Sequence, residues 1–168
     1  AHARFTVGDL TPLLRAHPGL VRVLGAGDVP FNGFGIYPDI KDQPVLADGL
    51  VRYRGEAELA LVGAREAVLR LRDDALPIAW MPLPPIVDID AARADGAALV
   101  QAAKPGNLLI DGGVRRGDTA AAFRQAAAVA DVTVETPFVE HAYIEPEAGW
   151  ARRVGDRLEI TVTTQTPY

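Results

Sequence analysis

The run Pro82-Leu83-Pro84-Pro85 does most to set what this chain can fold into. Each proline fixes φ, removes a backbone donor and pushes the residue before it towards extended conformation, so no helix or central strand passes through. The run reads as an extended connector that closes a first structural unit.

Before it, Phe5 to Val7 suits a short strand, and Thr11 to His17 a helix of one to two turns. Thr11 can cap that helix, Pro12 fits its first position, and Pro18-Gly19 stops it. Leu20 to Leu24 alternates as a strand and is closed by Gly25-Ala26-Gly27. Asp28 to Pro44, rich in Gly, Pro, Asn and Asp without periodicity, reads as a long ordered loop. Leu50 to Arg54 and Glu58 to Val62 follow as strands broken at Gly55, then a helix from Ala64 to Arg72 and a strand from Ile78 to Trp80.

After the connector, residues 88 to 114 read as irregular, with a helix near Ala97 to Ala103. Asp118 is the expected N-cap of an Ala-rich helix from Ala120 to Ala130. Val132 to Phe138 reads as a strand that Pro137 confines to an edge or a bulge. Val154-Gly155-Asp156-Arg157 joins two alternating runs as a hairpin. The fold class is α+β, with antiparallel pairing in the second unit.

Composition narrows the function. The net charge is −5, and lysine occurs only at 41 and 104. An acidic chain without clustered positive charge is a poor partner for nucleic acid or anionic membrane. No apolar run approaches a membrane span. Cysteine is absent, which excludes disulfides and any iron–sulfur cluster or thiolate metal site held by this chain. That absence fits a reducing cytoplasm.

Few residues invite a chemical reading. Glu140, His141 and Glu145 could suggest a metal cluster, but the spacing is not His-Glu-x-x-His, and Pro146 stops a helix from presenting them on one face. Gly25-Ala26-Gly27, Gly33-Phe34-Gly35 and Asp111-Gly112-Gly113 match neither a P-loop nor a dinucleotide fingerprint; turns explain them. His2 and His17 lack a carboxylate or nucleophile nearby in sequence, and Asp39-Ile40-Lys41-Asp42 suits a solvated turn. Arg115-Arg116 and Arg152-Arg153 read as solvated pairs before they read as an anion site.

Two blocks carry a resemblance. The first has Gly27-Asp28-Val29-Pro30, Asn32, Gly35, Asp42-Gln43-Pro44, Val51-Arg52-Tyr53-Arg54-Gly55-Glu56 and Trp80-Met81-Pro82-Leu83-Pro84. The second has His141-xxx-Glu145-Pro146, the small Ala151 and a strand ending Thr164-Gln165-Thr166-Pro167. In that order they resemble the large, molybdenum-binding subunit of the xanthine dehydrogenase/aldehyde oxidase family. The first block is similar to its α/β hammerhead domain and the second to the start of its molybdopterin-binding domain. The resemblance implies a hammerhead domain at 1–87 lacking part of its N-terminal strand, an extended linker at 88–116, and an incomplete molybdenum-cofactor domain at 117–168. Met81, where most members carry an acidic residue, and the short helix before Arg72 mark a diverged subgroup.

The resemblance also implies a function: oxidative hydroxylation of an aldehyde or N-heterocycle with oxygen from water. The cofactor expected in the complete subunit is molybdopterin, in its cytosine dinucleotide form, with iron–sulfur clusters and FAD on partner subunits or domains. Gln165 is the expected cofactor-binding residue, its amide hydrogen-bonding an oxo ligand of the molybdenum; no catalytic residue and no metal ligand is expected in this chain. The partners implied are the remainder of the large subunit and the iron–sulfur and FAD components, and the chain alone should be inactive. Two alternatives stay open: a non-enzymatic scaffold or interaction module of the same fold, and an unrelated small-molecule-binding domain.

Overall fold

β1 (Ala3–Val7) is the central strand of the first sheet, and its inward positions Ala3 and Phe5 are buried. The computed structural model describes residues 2–35, 39–137, 139–140, 142–145 and 147–164. They form two units, Ala1–Gly113 and Val114–Tyr168.

In the first unit β1 is followed by α1 (Thr11–Ala16) and β2 (Leu20–Leu24). Thr11 is the first helical residue and does not cap α1; the Asp9 carboxylate accepts its N–H at 2.9 Å. β3 (Leu50–Val51) and β4 (Ala60–Gly63) are shorter than the two expected strands. Their shortness follows from a turn at Gly55, whose φ of 94° suits glycine. α2 (Arg65–Arg70) and β5 (Ile78–Pro82) come next. β1 pairs antiparallel with β3 on one edge and β5 on the other, and β2 pairs antiparallel with β4 in a separate two-stranded sheet.

Two small cores hold these sheets. Ala3, Phe5, Ala47 and Val51 form one, with Phe5 opposite Trp80 and their ring centroids 5.4 Å apart. Leu13, Leu20 and Val23 form the other, against α2 and Leu59 and Leu61. A six-residue helix is too short to persist alone, so burial of Leu13, a contribution of about 2 kcal/mol, is what holds α1.

At Gly63 the two strands of the second sheet approach closely. A Cβ there would overlap the carbonyl oxygen of Gly19 and lie 2.9 Å from the Cα of Leu20, beside an irregularity in the β2–β4 register. Because backbone atoms must move, Gly63→Ala is expected to cost roughly 1–3 kcal/mol, read as a lower urea midpoint.

The described parts of the loop from 28 to 44, which leave out residues 36–38, are held by backbone mimicry. The Asn32 amide donates to the Leu46 carbonyl at 2.8 Å and accepts the Leu46 N–H at 2.9 Å, and Phe34 bridges Gln43. Asn107 does the same for the segment after the connector. Its amide donates to the carbonyls of Ala92 and Ala98 and accepts the Val100 N–H. A helix at Ala97 to Ala103 would need that carbonyl and that N–H, so none forms; instead α3 (Ile89–Arg93) lies upstream, capped by Asp88 at 2.6 Å.

In the second unit α4 (Thr119–Gln125) starts as expected, with Asp118 accepting the Ala121 N–H at 2.8 Å. It ends at Gln125, not Ala130, because an Ala-rich segment without a buried face gains too little to propagate. Residues 132–137 are not a strand; no described segment pairs with them. β6 (Gly149–Val154) and β7 (Arg157–Val162) form the hairpin, turned by Gly155-Asp156 with Gly155 at φ 60°. The architecture is mixed α+β with small antiparallel sheets.

Candidate functional site

The hairpin carries the strand end where the sequence places its one cofactor residue. Pairing continues one step past the named strands: the Thr163 N–H donates to the Ala148 carbonyl at 2.9 Å, and the Ala148 N–H donates to Thr163 Oγ1 at 3.0 Å. This double tie holds the open end of the hairpin. Glu145, Ala148, Trp150 and Thr161 to Thr164 line a shallow hollow there. Glu145 and Thr164, far apart in the motif, are therefore neighbours.

Gln165 and His141 lie outside the described residues. Glu140 and Glu145 are exposed. Among the described residues no group of three or more His, Cys, Asp or Glu could hold a metal ion. Glu145 is the one ionisable side chain lining the hollow, and the Thr163 hydroxyl there is already engaged by Ala148.

None of the glycines in the three clusters takes a positive φ, so the expected explanation by turns that need glycine does not hold; nothing in the structure explains Gly112 and Gly113, while the other two clusters have local explanations. Asp28 closes the Gly25–Asp28 turn by accepting the Gly25 N–H at 3.0 Å, and it pairs with Arg22 at 2.5 Å. The anion this turn holds is thus its own side chain. The Gly25 N–H first, and Arg22 second, hold the Asp28 carboxyl below its ordinary pKa. A folded-state pKa below the unfolded one adds stability above the unfolded value, and that stability is lost as pH falls through the folded value. Asp28→Asn is accordingly expected to flatten the acid side of the urea midpoint against pH and leave its neutral slope unchanged. At Gly35 a Cβ would overlap the Ile40 carbonyl oxygen, which accounts for a glycine there by close approach.

His2 ties the start of β1 to the connector. Its Nδ1 is 2.9 Å from the Pro84 carbonyl, and its own carbonyl accepts the Leu83 N–H. His17 is the C-cap of α1. Arg152 pairs with Glu159 at 2.8 Å and lies over the Trp150 ring.

Sequence reasoning missed Glu56. It is 5 % exposed and accepts both the Arg52 N–H at 2.5 Å and the Arg52 guanidinium at 2.8 Å. Arg52 borders an apolar hollow of about 300 Å³ with Tyr53, Ile86, Val87 and Leu99. The spacing of four residues could have suggested the pair, but only burial gives it weight.

Known proteins share sequence with this chain. Residues 100–168 match the molybdopterin cofactor-binding domain. The nicotinate dehydrogenase large molybdopterin subunit of Eubacterium barkeri is 31% identical over 169 aligned residues, covering 99% of this chain and 39% of that protein. A Bacillus subtilis protein assigned as one of the subunits of a xanthine dehydrogenase is 31% identical over 134 residues, 79% of this chain and 17% of its own length. An Escherichia coli protein assigned as a xanthine dehydrogenase molybdenum-binding subunit is 27% identical, over 92% of this chain and 22% of its own. The chain is homologous to subunits of molybdopterin-dependent nicotinate and xanthine dehydrogenases, and spans well under half the length of these relatives.

Proposed function

We propose that this chain is the hammerhead domain and the opening of the molybdopterin domain of a molybdenum hydroxylase large subunit that oxidatively hydroxylates an aldehyde or N-heterocycle. The observation that carries this reading is the match of residues 100–168 to the cofactor-binding domain, within an alignment covering 99% of the chain. The two antiparallel sheets before the proline connector are compatible with a hammerhead domain.

Gln165 is the residue of this chain that meets the cofactor. It follows Thr164 directly, at the hairpin end tied by Ala148 and Thr163. Its amide donates a hydrogen bond without adding charge or competing as a metal ligand. Bound molybdopterin supplies the two-electron redox chemistry and activates the oxygen that enters the substrate. The chain's own part is to supply a neutral donor at the metal edge. Phosphate binding, the base that takes the substrate proton, and electron transfer through iron–sulfur and flavin groups fall to the rest of the enzyme.

The reading is tested by isolating the chain from its source cells and assaying for molybdenum and pterin. Both should be present in the species that contains these 168 residues. Metal-free, pterin-free material from molybdenum-replete cells would sink the cofactor assignment and favour a scaffold.

A further inference from the structure

We propose that Asn32-Gly33 is a self-modification site: the pair cyclises to a succinimide and hydrolyses to aspartate or isoaspartate once its loop opens, and the folded chain holds it inert through Leu46.

Two separate structural demands put this pair together. Asn32 serves as a backbone partner for Leu46: its Nδ2 donates to the Leu46 carbonyl at 2.8 Å and its Oδ1 accepts the Leu46 N–H at 2.9 Å. Gly33 is required by close approach, since a Cβ there would lie 3.2 Å from the Lys41 carbonyl oxygen, a backbone atom with little room to yield. Side by side the two residues form an Asn-Gly dipeptide. Its side-chain amide is open to attack by the next backbone nitrogen, because glycine has no Cβ to hinder the approach. The chain's other asparagine, Asn107, is followed by the bulky Leu108.

The reaction balances with water alone. The deprotonated Gly33 nitrogen attacks Asn32 Cγ, a C–N bond forms, the Cγ–Nδ2 bond breaks, and ammonia leaves. Water then opens the ring at either carbonyl, giving aspartate or isoaspartate. Nδ2, the leaving atom, is the one that donates to Leu46. Cγ also becomes tetrahedral as the ring closes, which breaks the paired geometry, so cyclisation requires the clamp to be open. Leu46 and its neighbour Ala47 are buried. Just beyond Gly33, the Phe34 N–H donates to the Gln43 carbonyl at 2.7 Å and the Gln43 N–H returns the bond at 3.0 Å. Opening is therefore a loss of several bonds together, not the rotation of one side chain.

The product cannot rebuild the clamp. A carboxylate only accepts hydrogen bonds, so the oxygen that replaces Nδ2 faces the Leu46 carbonyl oxygen in repulsion. Isoaspartate also adds a carbon to the main chain, which moves Gly33 off Lys41 and Phe34 off Gln43. The modification makes a transient opening permanent.

The test compares the folded protein, purified from its source cells, with the same protein held in guanidinium chloride at the same neutral pH and temperature. Mass spectrometry follows the tryptic peptide 23–41, and labelling by an isoaspartyl methyltransferase reports isoaspartate. Asn32 should convert in denaturant and at least about tenfold more slowly when folded, a ratio set by how often the clamp opens. Asn107 should lag far behind it in denaturant. Gly33→Ala should slow conversion about tenfold in denaturant, where folding plays no part. Asn32→Asp, one of the two products, should speed hydrogen exchange of the Leu46 N–H by about tenfold in the folded protein. Equal rates in folded and denatured protein would overturn protection by the clamp. No conversion of Asn32 in denaturant would overturn the site, and wild-type exchange at Leu46 in Asn32→Asp would overturn the permanent opening.

Discussion

Gln165→Ala, in the complete molybdopterin-loaded enzyme, is expected to lower turnover about 10–100-fold, the usual cost of removing a hydrogen bond that tunes a metal centre from outside its ligand set. The loss should fall on kcat, with KM little changed, if the donor acts where charge develops on the oxo group. Gln165→Glu separates donor from shape. It keeps the side-chain length but, when ionised, can only accept hydrogen bonds and brings a negative charge. It should therefore be at least as slow as the alanine variant. Because a polar residue after a strand end contributes little to packing, the melting temperature should stay nearly constant. Wild-type turnover in Gln165→Ala, or activity retained by Gln165→Glu, would remove Gln165 from the cofactor's surroundings.

The second large effect is one of stability. Glu56→Ala is expected to destabilise the first unit by about 3 kcal/mol, because it leaves the mostly buried Arg52 guanidinium without its partner. The backbone N–H of Arg52 would lose its acceptor as well. The Arg52 Nε is already buried without a hydrogen-bond partner, so little remains to compensate. Glu56→Gln keeps an acceptor and loses only the charge, and it should cost about half as much. Urea unfolding monitored at Trp80 would measure both. A Glu56→Ala loss of stability below about 1 kcal/mol would mean that water reaches the pair in solution. Glu56 closes the Val51-to-Glu56 motif of the resemblance, and its buried pairing gives that motif a structural reason.

Local signals are legible where the forces are local. β2 runs from Leu20 to Leu24 as expected, although an irregularity at Leu20–Arg22 breaks its alternation, Asp118 caps α4, and Gly155-Asp156 turns the hairpin. Each depends on residues within about four positions of one another. The departures share a different cause. The helices expected at Ala97 to Ala103 and beyond Gln125 have adequate propensity, but one gives up its backbone groups to Asn107 and the other has nothing to bury against. The strand expected from Val132 has apolar alternation and no described neighbour to pair with. Gln165 is legible only through the Thr164-Gln165-Thr166-Pro167 pattern, since a lone glutamine carries no distinguishing chemistry.

The sequence by itself determined the α+β class, the absence of thiolate chemistry and the likeness to molybdopterin subunits, all of which follow from residue types in a fixed order. Tertiary structure alone decided that Glu56 is buried and that Asn32 and Asn107 clamp backbone 14 and 15 residues away. It also decided that the hairpin satisfies one face within itself and leaves the other apolar and open. The physical reason is range. Dihedral preference and capping act over a single turn, whereas burial and side-chain pairing across a loop exist only once distant segments have been brought together.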